Sequence, residues 1–280
     1  MFKKMPKILA HVSSLNNGNF VTPEYILNNG EERINLFRRF CPHRMYPMHE
    51  VGDIVENISC NFHGFEWNKQ GIPINNDRQI GCGVAKVGKS GLIFKDFVEP
   101  DAFWVNDLAK EELEYSHTRT NKSTGSWLWI MDIQADLLHI RKGEKAVHPA
   151  LSEVTDLNDI QMFDGDGWIL QTCSTGWWLF IYPFTFVEWS PGCVAVNYTK
   201  PNNINEEYGF MWNTQFYFNK NISKERRESF EFFIEDVFVE DVTAIEKQAS
   251  DYFPLMKSSN RLEDHCVHFG KWYLENVNKK

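Results

Sequence analysis

The chain has 280 residues, 42% of them hydrophobic and 15% aromatic, and a formal net charge of −9. That length and apolar content suffice for one large core or two modest ones and exclude a disordered chain. Its lysines and arginines are scattered among acidic neighbours, which excludes a phosphate-backbone footprint and with it nucleic acid as a partner.

Lys3 and Lys4 open the chain, but Pro6 and Lys7 interrupt any apolar run, so no secretory signal is expected and the cytoplasm is the expected location. Up to about residue 100 the segments are short, β-rich and punctuated by turn residues such as Asn16-Asn17-Gly18, Asn28-Asn29-Gly30 and Lys89-Ser90-Gly91. This pattern predicts a small antiparallel β domain, closed by a strand at residues 91–94. Within it, Cys41-Pro42-His43 is followed, after sixteen intervening residues, by Cys60-Asn61-Phe62-His63. Two thiolates can hold one iron and two imidazoles the other, the ligand set of a Rieske 2Fe-2S cluster. The same residues could make a tetrahedral Cys2His2 zinc site, which ligand chemistry alone leaves open. Zinc fingers, however, pair cysteine with cysteine and histidine with histidine, whereas here each loop carries one of each.

Helical signals begin after Asn106, and the remainder alternates aromatic strand segments at 168–189, 193–199 and 208–218 with helices. The 168–189 run is strongly apolar, but Gln171, Thr172, Gly176, Pro183 and Glu188 break it, so buried sheet is expected and no membrane span. One helix is predicted from Ser223 through Phe238. A last helix shows a stripe of Leu262, Cys266, Phe269, Tyr273 and Val277, with Asn260 and Glu263 making a capping-box-like start. His265 and His268 beside that stripe read as flank histidines of a packing helix, because no carboxylate partner is evident nearby. Cys82, Cys173, Cys193 and Cys266 have no paired spacing, as in a reduced protein.

A second constellation is Asp136-x-x-His139, followed by His148 after eight residues. On a helix, this spacing places the carboxylate and the imidazole on one face. Two histidines and one carboxylate form a facial triad that leaves positions on ferrous iron for oxygen and substrate. Taken alone, the spacing is a weak signal that a capped or salt-bridged helix explains more often than a metal site.

The text around the first motif, Cys41-Pro42-His43-Arg44, Gly52-Asp53, Cys60-x-x-His63-Gly64-Phe65-x-Trp67 and Gly71, closely resembles the Rieske domain of the ring-hydroxylating and related Rieske non-haem iron oxygenases. Trp127, Asp132, Asp136 and His139 stand at offsets similar to the iron-binding segment of that family, and Glu240-Asp241-x4-Glu246-x-Gln248 resembles the stretch that holds its carboxylate ligand. The resemblance implies an α+β chain: residues 1–100 as an N-terminal Rieske antiparallel β domain and 101–280 as a helix-grip (START-like) catalytic domain. It implies Cys41, His43, Cys60 and His63 as ligands of a 2Fe-2S cluster, and His139, His148 and Asp241 as ligands of a mononuclear Fe(II). Asp136 is the implied carboxylate linking an iron-ligand histidine to a cluster-ligand histidine across a subunit boundary in a homotrimer. The implied activity is a Rieske mono- or dioxygenase that uses O2 to hydroxylate, dihydroxylate or demethylate a small organic substrate. No flavin or nicotinamide fingerprint is present, so the electrons are expected from a separate reductase or ferredoxin. The alternative is a non-catalytic Rieske electron-transfer or ligand-sensing protein lacking the mononuclear iron.

Departures from the family pattern mark a divergent branch. Eight residues including Gly143, instead of four, separate the two histidines; Ser126 and Leu128 flank Trp127; and Met45 stands where a glycine normally follows Cys-Pro-His-Arg. Trp168, Trp177, Trp178, Phe180, Tyr182, Phe184, Phe186, Trp189 and Trp212 supply aromatic surface for an apolar pocket or a cage for a quaternary ammonium, although most are expected in the core.

Overall fold

The structure is a computed structural model that describes residues 5–30, 33–140, 156–202, 208–248, 252, 254–258 and 260–276. The chain forms two compact units, Pro6–Thr120 with Gln215–Lys220, and Met1–Met5 with Asn121–Thr214 and Asn221–Lys280.

The first unit contains β1 (Lys7–His11), β2 (Asn19–Val21), β3 (Tyr25–Asn29), β4 (Ile34–Arg38), β5 (Ile54–Val55), β6 (Ile58–Cys60), β7 (Phe65–Trp67), β8 (Cys82–Val87), β9 (Leu92–Lys95) and helix α1 (Phe103–Ala109). Seven strands form a sheet ordered β1-β9-β8-β4-β3-β2-β5, and β6 with β7 makes a separate hairpin. Side chains alternate between faces along a strand. Accordingly Phe20, Leu27 and Leu36 join one buried cluster with Leu9 and Ile93. Their chain neighbours Val21, Ile26 and Phe37 join another, with Ile58, Trp67, Cys41 and Cys60. Both faces are thus covered, and the second cover is the layer that carries the two cysteines. The closing strand expected at residues 91–94 is β9, paired with β1 and β8.

The remaining elements are β10 (Leu113–Ser126), α2 (Trp127–Ala135), β11 (Gln161–Gly165), β12 (Trp168–Cys173), β13 (Gly176–Ile181), β14 (Thr185–Ser190), β15 (Cys193–Pro201), β16 (Tyr208–Asn219), α3 (Lys224–Ile245) and α4 (Asp264–Asn276). The sheet order is β10-β16-β15-β14-β13-β12-β11, with β11 to β15 joined by successive antiparallel pairings. The apolar run at 168–189 is therefore three strands. Cross-strand aromatic pairs hold their register: Phe180 stacks on Phe186 with centroids 5.2 Å apart, and Trp177 on Trp189 at 5.6 Å. Among the described residues no helix is long and apolar enough to cross a membrane.

Helix α3 begins where Ser223 Oγ accepts a hydrogen bond from Arg226 N, and it runs seven residues beyond the expected end at Phe238. Its buried residues are Phe230, Ile234, Val237, Phe238, Asp241 and Ile245, a single helical stripe in which one member is an acid. Asp241 thus lies in the helix interior and does not start a helix. The start of the last helix is a 3-10 turn, Arg261–Glu263, capped by Asn260 Oδ1 accepting from Leu262 N; it leads into α4, which buries His265, Cys266 and Phe269. Val277, the last member of its expected stripe, lies outside the described residues. Strand β10 had no periodic signal, because its sequence from Glu114 to Thr124 is mostly polar.

Candidate metal centres

Cys41 sits in a tight loop in which Cys41 N donates to Tyr46 O and Met45 N to Cys41 O, both at 2.9 Å. Closing this loop puts Met45 at φ 56°, the left-handed region that favours glycine, at the position where the resembling family carries one. Cys60 ends β6, and the return to β7 is made by Gly64 at φ 69°, whose N–H donates to Cys60 O. The hairpin is anchored by Trp67, fully buried, with Nε1 donating to Arg78 O at 2.7 Å.

The two loops bring their ligand-type residues together in pairs. Cys41 and Cys60 are both about 1% exposed, and their thiols are hydrogen-bond partners. Burial pushes the Cys41 thiol up, opposed by hydrogen bonds from the backbone of His43 and Arg44. His43 Nδ1 and His63 Nδ1 lie 3.2 Å apart at the exposed tip. Desolvation, then the neighbouring His63, Arg78 and Arg44, lower the His43 pKa, which favours the neutral imidazole that a metal requires. Two buried thiols at the base and two imidazole nitrogens at the tip fit a two-iron cluster with a sulfur side and a nitrogen side. A tetrahedral zinc site instead gathers all four donors around one point.

In the second unit the Asp136–His139 step is not helical, which corrects the expectation of a shared helix face. Helix α2 ends at Ala135, and Asp136 takes an extended conformation at φ −82° and ψ 115°. Its Oδ1 accepts from Leu138 N at 2.6 Å and so caps the 3-10 turn Leu138–Ile140 that carries His139. The capping bend leaves Asp136 Oδ2 3.6 Å from His139 Nδ1, while His139 Nε2 lies 3.8 Å from Asp241 Oδ1. The Asp136 carboxylate thus faces one ring nitrogen and Asp241 the other. Asp241 is 1% exposed, and its Oδ2 accepts a hydrogen bond from Gln134 Nε2. His148 lies outside the described residues. The two donors present fit a cation held at a histidine nitrogen and one carboxylate oxygen, the donor types of a 2-His-1-carboxylate site. Among the described residues alone, no group of three or more His, Cys, Asp or Glu side chains could hold an ion.

His139 and Asp241 line a small pocket with Gln171, Trp178, Phe180 and Glu188. Gln134, Gln171 and Glu188 had not been singled out from the sequence as site residues. Gln171 is held by Nε2 donating to Ala135 O at 3.0 Å, and Glu188 is 5% exposed. A signal for Glu188 did exist: it is the lone acid in the apolar strand Thr185–Ser190. Of the nine aromatic residues named above, Trp178 and Phe180 line this pocket, while Phe184, Phe186 and Trp212 lie in the buried core of the unit.

Residues 6–83 match the Rieske [2Fe-2S] domain. No curated protein matches the chain. The solved structures similar to it include the quaternary ammonium Rieske monooxygenase CntA in complex with an inhibitor, at 16% identity and a TM-score of 0.75, covering 98% of this chain and 89% of that one. A second CntA structure, described as giving insights into carnitine oxidation by gut microbiota and inter-subunit electron transfer, matches at 15% identity with a TM-score of 0.72 over the same shares of the two chains. NdmA of Pseudomonas putida CBB5 matches at 15% identity and a TM-score of 0.56, covering 96% of this chain and 88% of that one. Its Cys-His loops lie inside the matched segment, so the chain carries a segment that matches the Rieske [2Fe-2S] domain and has the fold of the Rieske monooxygenases.

Proposed function

We propose that the chain is the oxygenase component of a Rieske non-haem iron system, with residues 1–100 as its Rieske domain and 101–280 as its catalytic domain. Cys41, His43, Cys60 and His63 hold the 2Fe-2S cluster, and His139, His148 and Asp241 hold a mononuclear iron. The observation that carries this reading is Asp241, an acid in the buried stripe of α3, set 3.8 Å from His139 and oriented by Gln134. A histidine nitrogen and a carboxylate oxygen set this close are two of the donor types of a 2-His-1-carboxylate iron site.

When bound, the cluster relays single electrons from a separate reductase or ferredoxin, and the iron offers positions to O2 and a small organic substrate. The chain's own residues prepare the site. Asp136, facing His139 Nδ1, fixes the ring so that Nε2 points toward Asp241. Gln134 occupies one oxygen of Asp241 and leaves the other toward His139. Trp178 and Phe180 give the pocket an aromatic wall. The inter-subunit electron transfer named for CntA supports a route between chains, in which Asp136 of one chain links its own His139 to His63 of the neighbouring chain; the assembly we infer for it is a homotrimer.

The test is purification under anaerobic conditions followed by iron and sulfide analysis, electron resonance, and O2 consumption with a surrogate reductase. The reading expects three irons per chain, a Rieske-type signal that Cys41→Ser and His63→Ala abolish, and reductase-dependent O2 uptake. A protein holding only the cluster and consuming no O2 would instead be a Rieske electron-transfer or ligand-sensing protein.

A further inference from the structure

Glu188 stands in the wall between two cavities. On one side is the pocket containing His139 and Asp241; on the other is a cavity of about 330 Å³ whose lining includes Trp189, Ser190, Arg226 and Phe230. Trp178, Glu188 and Phe233 line both.

The carboxyl of Glu188 is positioned by a chain of hydrogen bonds. Asn197 Oδ1 accepts from Trp212 Nε1 at 3.1 Å and from Thr214 Oγ1 at 2.7 Å, so the amide of Asn197 is oriented with its NH2 group outward. That group donates to Glu188 Oε2 at 2.8 Å. Asn197 and Thr214 are buried along with Glu188. The hydrogen bond from Asn197 is the one made by the carboxyl among the described residues, so its second oxygen is left to the cavities. Desolvation pushes the Glu188 carboxyl up to about 8, Asn197 opposes the rise, and the nearby Asp241 charge adds to it. A buried acid raised in this way lacks a positive partner.

We propose that Glu188 is the specificity-determining residue of the substrate cavity and takes the cationic nitrogen of a small organic ammonium or amine. This rests on the oxygenase reading only in that the cavity is the substrate's. An organic cation supplies the missing charge, and the half-buried Trp178 beside Glu188, with Phe233, offers aromatic surface that attracts a cation where a neutral group gains only contact area. The exposed Arg226, whose guanidinium donates to Ser190 Oγ, lines the outer cavity. It repels a cation there, so the charged end goes to Glu188 and any anionic end of the substrate to Arg226.

The experiment compares two probes of nearly one shape, choline and its neutral isostere 3,3-dimethyl-1-butanol, by calorimetric titration of the full metal-loaded chain. Choline is expected to bind at least about tenfold more tightly, corresponding to about 1.4 kcal/mol. Glu188→Gln, isosteric and able to keep the Asn197 contact, is expected to bring the ratio to about one while leaving the neutral probe's affinity within about twofold. Glu188→Asp, which keeps the charge, is expected to retain a preference for choline. Circular dichroism and the visible cluster absorption verify that each variant is folded. Equal binding of the two probes, no binding of either, or a preference that survives Glu188→Gln overturns the assignment. Binding is read without turnover, so a choline preference in a chain that consumes no O2 retains this site and removes the oxygenase reading, whereas O2-consuming turnover without the preference does the reverse.

Discussion

Gln134 donates from Nε2 to Oδ2 of Asp241, and the other oxygen of that carboxylate lies 3.8 Å from His139 Nε2. The amide stands at the end of α2 and the acid in the buried stripe of α3, so the packing of two helices sets the direction of one carboxylate. Partners that orient a ligand from behind typically tune metal affinity by about 10- to 100-fold. Gln134→Ala is expected to weaken iron binding within that range while Asp241→Ala and His139→Ala lose the mononuclear iron, all three keeping the cluster colour. Iron per chain at graded chelator concentration measures this, and native iron affinity in Gln134→Ala would refute the orienting role.

Asp136 caps the turn that carries His139 through Oδ1 and faces the ring through Oδ2. In Asp136→Asn the remaining carbonyl can still cap, but the negative charge opposite the imidazole is gone. Both metal centres are expected to load normally and electrons to pass slowly, as read by single-turnover oxidation of the reduced cluster. For the route between chains, His63→Ala and Asp241→Ala chains are co-assembled. Partial activity in the mixture is expected, and zero turnover in an assembly verified by mass rules the route out.

The strain at Met45 gives a test confined to one loop. A non-glycine residue held at φ 56° costs about 1–3 kcal/mol, most for β-branched side chains. Met45→Gly relieves the strain but adds backbone entropy to the unfolded chain, so its effect is expected between neutral and about 1 kcal/mol of stabilisation. Met45→Val is expected to destabilise by about 1–3 kcal/mol. Thermal melts followed at the cluster absorption order the three proteins; a Met45→Val melt at or above the native one contradicts the backbone assignment.

Asp132 provides a pH dependence of stability. Desolvation pushes its carboxyl up to about 7, against the hydrogen bond that Tyr252 Oη donates to its Oδ1 at 2.9 Å, and the nearby Asp136 charge adds to the rise. The folded chain therefore holds a proton that the unfolded chain releases near pH 4. Stability from this group is full below about pH 4 and falls as pH rises toward about 7, with a limiting slope near 1.4 kcal/mol per pH unit. Asp132→Asn removes the titrating proton. Denaturant titrations across that range are expected to show a shallower decline for the variant, and parallel curves would show that Asp132 ionises alike in both states.

The Rieske loops were legible in the sequence because each thiol-imidazole pair comes from a single short loop, so spacing alone carries the chemistry. The aromatic strands of 168–189 and the last helix were legible for the same reason, since their periodicity is local. Strand β10 was not, because its polar residues alternate without an apolar face. Asp136-x-x-His139 reads as helix, yet α2 stops one residue before it, since the side chain of Asp136 bonds the backbone ahead and competes with the helical pattern. The sequence alone determined the two Cys-His loops and pointed to Asp136, His139, His148 and Asp241 as candidates for a second centre. The resemblance already named Asp241 with His139, and the structure sets the two 3.8 Å apart; only the tertiary structure decided that Glu188 joins their pocket. The reason is that a long-range contact depends on the register of β14 and the rotation of α3 against the sheet, and these are set by how Phe180, Phe186, Trp212 and Phe238 pack together.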